Sequence, residues 1–139
     1  MADKKDLFRL VIGGPLPGMN EILKAYGVNR GTGAALKTKT DGDIQRCIRK
    51  QLKGLKIKSA DFGFIWYEEH KQRDPDNIIV AHKFIMDALR KEGVLLNDGW
   101  KQINSIRDNW RVDAERPRVE VLIRVIEYQE EQGDLFNAS

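Results

Sequence analysis

A single cysteine, Cys47, and two histidines, His70 and His82, leave no material for a disulfide framework or a Cys/His zinc cluster. A metal bound here would need oxygen ligands. No uncharged apolar run approaches the roughly 20 residues of a spanning helix. The first residues also lack a secretory layout, because the short apolar run that follows them holds Arg9 and stops at Gly13, Gly14 and Pro15. A non-membrane, cytoplasmic protein is the expectation. Cations are missing from the end of the chain: the last is Arg124, and four acids (Glu127, Glu130, Glu131, Asp134) lie beyond residue 126. Residues 1–126 therefore hold 24 cations against 17 acids, a net +7, and the remainder carries −4. A basic body with an acidic tail suits a polyanionic partner for the body and a separate role for the tail.

What is present is a chain of 139 residues, 41% hydrophobic and 32% charged, enough for one core and too little for two domains of ordinary size. The pattern predicts a strand at Leu7–Ile12, a turn through Gly18, a short helix at Met19–Tyr26 and a mobile, glycine-rich loop over Gly27–Lys39. A helix follows from Asp43 to a stop at Gly54, then an aromatic core strand at Asp61–Glu69. A long helix opening at Arg73–Asn77 runs through Glu92 to Gly93. Short extended pieces come next at Val94–Leu96 and Gln102–Trp110, and Arg118–Tyr128 is the clearest strand. The expected fold is a single small α+β domain, a mixed sheet packed with two main helices over residues 1–128, followed by a detachable acidic tail, 129–139.

Arg46, Arg49, Lys50 and Lys53 fall on one side of the Asp43–Gly54 helix, opposite Ile44, Cys47, Ile48 and Leu52. Lys56 and Lys58 continue the charge, and no acid occurs between Ile44 and Ala60. A solvated polar face and a phosphate-binding face both fit this stripe. The missing acids favour the second, since soluble helices usually mix signs.

Asp74 and Asp76 stand where a strand gives way to a helix, and Asp98 arrives just beyond that helix. A structural explanation exists for the first two: Asp74 is a good N-cap, Pro75 suits the first helical position, and Asp76 favours the positive helix end. Lys83 follows Asp76 by seven residues, two helical turns, so its stem can reach back toward the acids; an i,i+4 pair with Asp87 is the alternative. Lys71 and Arg73 flank the acids with positive charge. Carboxylates gathered in a basic surface repel unless a cation bridges them, which suits Mg²⁺ or Mn²⁺ and phosphodiester hydrolysis. For Trp66, Tyr67, Trp100 and Trp110, core packing is the expectation, with base stacking as the alternative.

Arg73-Asp74-Pro75-Asp76-Asn77, then Lys83 ahead of Asp87-Ala88-Leu89, then Asp98 eleven residues beyond Asp87, resembles the signature of the RusA-type Holliday junction resolvases. The likeness is specific from Arg73 to Asp98 and compatible in element order over residues 7–127. It implies a RusA-like fold and a homodimeric, Mg²⁺-dependent endonuclease of prophage or phage type that nicks four-way DNA junctions symmetrically. Metal-binding carboxylates are then implied at Asp74, Asp76 and Asp98, and a catalytic lysine at Lys83. Arg46, Arg49, Lys50, Lys53, Lys56 and Lys58, with Lys71 and Arg73, would contact DNA phosphates. Asn97 stands where some members carry a further acid. Gln132-Gly133-Asp134-Leu135-Phe136 resembles the short peptide by which bacterial DNA-processing proteins dock on the replicative sliding clamp. Its anchors would be Leu135 and Phe136, with Gln132 fixing register by hydrogen bonds and Asp134 a further partner-binding residue. A non-catalytic branched-DNA-binding module and a clamp-associated adaptor are the alternative functions.

Overall fold

Alternation of apolar and polar residues builds a sheet with one dry face. The computed structural model describes residues 6–130, and in it four strands, β1 (Leu7–Gly13), β2 (Ile57–Glu68), β3 (Ile103–Val112) and β4 (Arg118–Tyr128), lie in the order β1-β4-β2-β3. β4 pairs antiparallel with both β1 and β2, while β3 runs parallel to β2, so the sheet is mixed. Register stacks Leu10, Val121 and Phe64 in one row and Ile12, Val119 and Trp66 in the next, all buried. A one-residue slip would turn every one of them to solvent.

Helices cover this face only. α1 (Met19–Val28) and α2 (Arg30–Gln51) form a hairpin between β1 and β2. The parallel β2–β3 connection holds a single turn, α3 (Pro75–Ile78), a 3-10 turn (Ile79–Ala81) and α4 (His82–Lys91). Ile44 and Ile48 of α2, Leu52 just past its end, and Phe84, Ile85, Ala88 and Leu89 of α4 close the core. The chain is thus a small single α+β domain with a mixed four-stranded sheet and three helices of ten or more residues. Among the described residues no helix is long and apolar enough to cross a membrane.

Three expectations need correction. The stretch expected to be a mobile loop, 27–39, is helical from Arg30. Asn29 caps that helix, its side chain accepting from the Thr32 amide at 2.7 Å, and a β-carbon at Gly33 would sit 2.3 Å from the Tyr26 ring. Glycine here permits close packing of α1 on α2 rather than flexibility. The helix expected to run unbroken to Glu92 tightens into a 3-10 turn after α3, where the β-branched run Ile78-Ile79-Val80 disfavours regular α geometry. Its far end is as expected: Gly93 has φ +76 and its amide bonds the Arg90 carbonyl at 3.0 Å. Val94–Leu96 is not a strand, and contributes only an isolated bridge between Leu95 and Ile57.

Among the described residues no helix lies over the opposite sheet face. Arg9, Arg107, Arg111, Arg118 and Arg124 project from it, with Asp61, Glu120, Leu122, Ile65 and Tyr67 between them. Ion pairs order much of this surface: Arg124 with Asp61 at 2.7 Å, Arg9 with Glu120 at 2.6 Å, and Arg118 with both Glu120 and Asp113 at 2.8 Å. The Arg118 guanidinium also lies 3.8 Å above the Tyr67 ring.

Candidate active site

The five residues Arg73 to Asn77 divide by the direction each faces. Arg73 is held inward: Nε and one terminal nitrogen take both oxygens of Glu68 at 2.7 and 2.9 Å, and the other terminal nitrogen bonds Glu21 at 2.7 Å and the Leu16 carbonyl at 2.9 Å. This bidentate clamp ties the end of β2 to the β1–α1 turn and to α1. Asn77 does the same from the other side, its Oδ1 accepting from the Asn20 amide at 2.8 Å. Gly18 fits beneath both, since a β-carbon there would approach the Asn77 carbonyl to 2.8 Å. A cleft of about 360 Å³ opens beside the clamp, walled by Pro15, Leu16, Leu36 and His70.

Asp74 and Asp76, between the two anchors, are exposed. Asp74 occupies the N-cap position of α3, yet its carboxylate makes no capping hydrogen bond; only its backbone carbonyl engages the turn, accepting from the Asn77 amide at 3.0 Å. Neither acid has an ion-pair partner among the described residues. The capping explanation for Asp74 therefore lacks the hydrogen bond it requires.

Lys83 makes the i,i+4 pair with Asp87 that its spacing offered as the alternative, and it has no ion pair with Asp74 or Asp76 among the described residues. With the 3-10 turn shifting the helical phase, Lys83 Nζ lies 3.2 Å from Asp87 Oδ1 and 3.7 Å from Asp98 Oδ2. Both the i,i+4 pair and the reach to Asp98 are present together. Asp87 Oδ1 is sealed from solvent without an aligned hydrogen bond, and Lys83 and Arg90, the latter at 3.7 Å, are the cations beside it. The Asp87 carboxylate first, and Asp98 second, hold the Lys83 ammonium above the ordinary lysine value, so this residue is a fixed cation. Lys83 is placed by its neighbour: His82 Nε2 lies 2.7 Å from Asp108 Oδ1 on β3, and that oxygen also accepts from Trp66 Nε1 at 2.8 Å. This three-residue bond set pins the first turn of α4 to β2 and β3. Sequence reading missed it because its members are far apart in the chain.

Two of the four expected catalytic residues, Lys83 and Asp98, are thus in contact, while Asp74 and Asp76 share a short exposed turn. Among the described residues no three His, Cys, Asp or Glu side chains form a ready metal cage.

The expected DNA-binding residues also separate. Lys50, Lys53 and Lys71 are exposed with no acidic partner among the described residues. Arg46 pairs with Asp43, Arg49 with Glu92 at 2.8 Å, and Lys58 with Glu127 at 3.5 Å. Lys56 donates to the Gly93 carbonyl at 3.2 Å, and Arg73 is spent on its clamp. Trp66 is buried as expected, but Trp110 is exposed and Trp100 is 99% exposed. Tyr67, half-buried, lies under Arg118. Gln132, Asp134, Leu135 and Phe136 lie outside the described residues. Compared with known proteins, the chain matches no family model and no curated sequence.

Proposed function

We propose that this protein is a metal-dependent, structure-selective endodeoxyribonuclease of the RusA type that resolves four-way DNA junctions. The observation that carries the reading is the orientation of Arg73 to Asn77: both flanking residues are consumed as anchors, and the two aspartates between them are left exposed, with no ion-pair partner among the described residues. Two exposed carboxylates on one turn, with no side-chain capping bond and no ion-pair partner among the described residues, are open to a cation from solution.

Their donor chemistry fits Mg²⁺, or Mn²⁺ in its place, because only oxygen is offered. Mg²⁺ is commonly held by one or two carboxylates together with waters and substrate phosphates, so a complete protein cage is not required. Asp74 and Asp76 would hold the ion; the resemblance adds Asp98, which here lies 3.7 Å from Lys83 and is not gathered with them. When bound, the metal supplies water activation and charge neutralisation at the scissile phosphate. The remaining work falls to the chain. Lys83, paired with Asp87, offers a compact positive charge to the phosphate oxygens or the leaving oxygen. It is too firmly charged to act as a general base. Lys50, Lys53 and Lys71 supply affinity through the phosphate backbone without reading bases.

A homodimer would match the two-fold symmetry of a four-way junction, with one site for each opposed strand. The Gln132–Phe136 peptide would add recruitment to the bacterial sliding clamp, in the cytoplasm of a bacterial or phage-infected cell. Asp76→Asn tests the site: the amide keeps the shape and loses the charge. Unchanged junction affinity with nicking lost is expected, and nicking at the wild-type rate overturns the assignment.

A further inference from the structure

We infer that Trp100 is a stacking platform for an unpaired nucleobase, beside the catalytic acid Asp98; the inference rests on the branched-DNA reading above. Tryptophan is the largest apolar side chain, and folded chains seldom leave one uncovered. Trp100 is 99% exposed, while Trp66 on the same domain is 2% exposed. Its exposure does not come from a loose segment. The turn that carries it is closed on both sides: the amides of Gln102 and Ile103 bond the Gly99 carbonyl at 3.1 and 3.0 Å, and the Gly99 amide bonds Gln102 Oε1 at 3.1 Å. The amide of Asp98 is held in turn by Asn97 Oδ1 at 2.9 Å. The indole is therefore presented outward by a hydrogen-bonded turn, two residues from Asp98.

The surroundings select the partner. Lys101 is exposed beside Trp100, and Lys83 stands 3.7 Å from Asp98. An exposed aromatic side chain followed in the chain by an exposed lysine suits single-stranded nucleic acid, where bases stack on π-faces and phosphates meet lysine. A protein-binding anchor would instead be ringed by apolar contacts that exclude water, and from Asn97 to Ile103 Trp100 is the one exposed large apolar side chain. Branched DNA exposes bases where strands exchange. A base stacked on Trp100 would hold the strand's backbone near Asp98 and Lys83.

The test is binding of the full chain to a single-stranded oligothymidylate in EDTA, so that cleavage plays no part. Binding is followed by anisotropy of a labelled strand and by quenching of tryptophan emission. Trp100→Ala is expected to weaken binding about tenfold, within the range of one stacked base, with an unchanged melting temperature because the side chain is uncovered. Trp100→Phe is expected to keep most of the affinity and to lose the quenching. Wild-type affinity in Trp100→Ala, or full quenching in Trp100→Phe, would overturn the inference. So would a change in oligomeric mass on substitution, which would assign Trp100 to a protein interface. Failure of the nuclease reading looks different: no nicks in Mg²⁺, whatever Trp100 does.

Discussion

The two halves of the candidate site handle charge in opposite ways. Around Lys83 the fold satisfies itself, with Asp87 and Asp98 sharing one ammonium and Asp108 fixing the neighbouring His82. Around Asp74 and Asp76 it does not, because the one nearby guanidinium, Arg73, is turned inward to Glu68 and Glu21. The first half is an internal ion-pair cluster that happens to be exposed. The second is an uncompensated negative turn that an external cation would complete. On the proposed function, the contrast would separate a residue that assists chemistry from residues that hold the metal.

Breaking the second half should have the largest effect. Asp74→Asn, like Asp76→Asn, should lower Mg²⁺-dependent nicking by about a thousandfold or more, on the scale of losing a metal's charge stabilisation, while the thermal unfolding midpoint barely moves. A large fall in that midpoint would show that the acids serve the fold. In the first half, Lys83→Ala should slow single-turnover cleavage by about a hundredfold and change junction affinity little, as expected for one cation acting on the transition state among many phosphate contacts. Loss of affinity with normal turnover at saturation would make it a docking residue.

A charged group outside the site provides a control on acid stability. Asp61 accepts from Ser105 and Asn104 and pairs with Arg124, and these partners, Ser105 foremost, lower its carboxyl to about 2. A carboxylate with a lowered folded pKa stabilises fully above its unfolded value, near 3.9, and loses that contribution as pH falls toward about 2. Asp61→Asn should therefore flatten the melting-temperature curve between about pH 4 and pH 2, and an acid limb as steep as wild type would show that Asp61 does not set it.

The smallest effect expected is on salt dependence. Lys50→Ala with Lys53→Ala should reduce the slope of log affinity against log salt by about 1.8 for duplex arms, two phosphates' worth. Arg46→Ala with Arg49→Ala should reduce it less, because those guanidiniums already face Asp43 and Glu92. Equal slopes in the two double variants would make the intramolecular pairs irrelevant to DNA binding.

That last pair shows where sequence reading reached its limit. The absence of acids from Ile44 to Ala60 is real along the chain, but Asp43, Glu92 and Glu127 supply them in space. Strands announced themselves through alternation, as in Arg118–Tyr128, because period two reports directly on a buried face. α2 was hidden at its start because Gly31 and Gly33 read as flexible, whereas Gly33 is small in order to admit Tyr26. The acids of the site were visible by type and spacing. What was not visible was which of them the fold would use: the capping bond absent at Asp74, the inward clamp of Arg73, and the partners of Lys83 all depend on the 3-10 turn and on β3. The open arginine face was equally hidden, since its members come from β1, β3 and β4 and share a surface only through register.

The central claim is that Asp74 and Asp76 make this basic domain a junction-cutting enzyme. Incubation with a synthetic four-way junction and a matched linear duplex, each with and without Mg²⁺, tests it most directly. The account predicts paired nicks in the junction with Mg²⁺, none in EDTA, and an intact linear duplex throughout. Junction binding that is the same in EDTA and Mg²⁺, with no nicks in either, would contradict it and leave a non-catalytic branched-DNA-binding module.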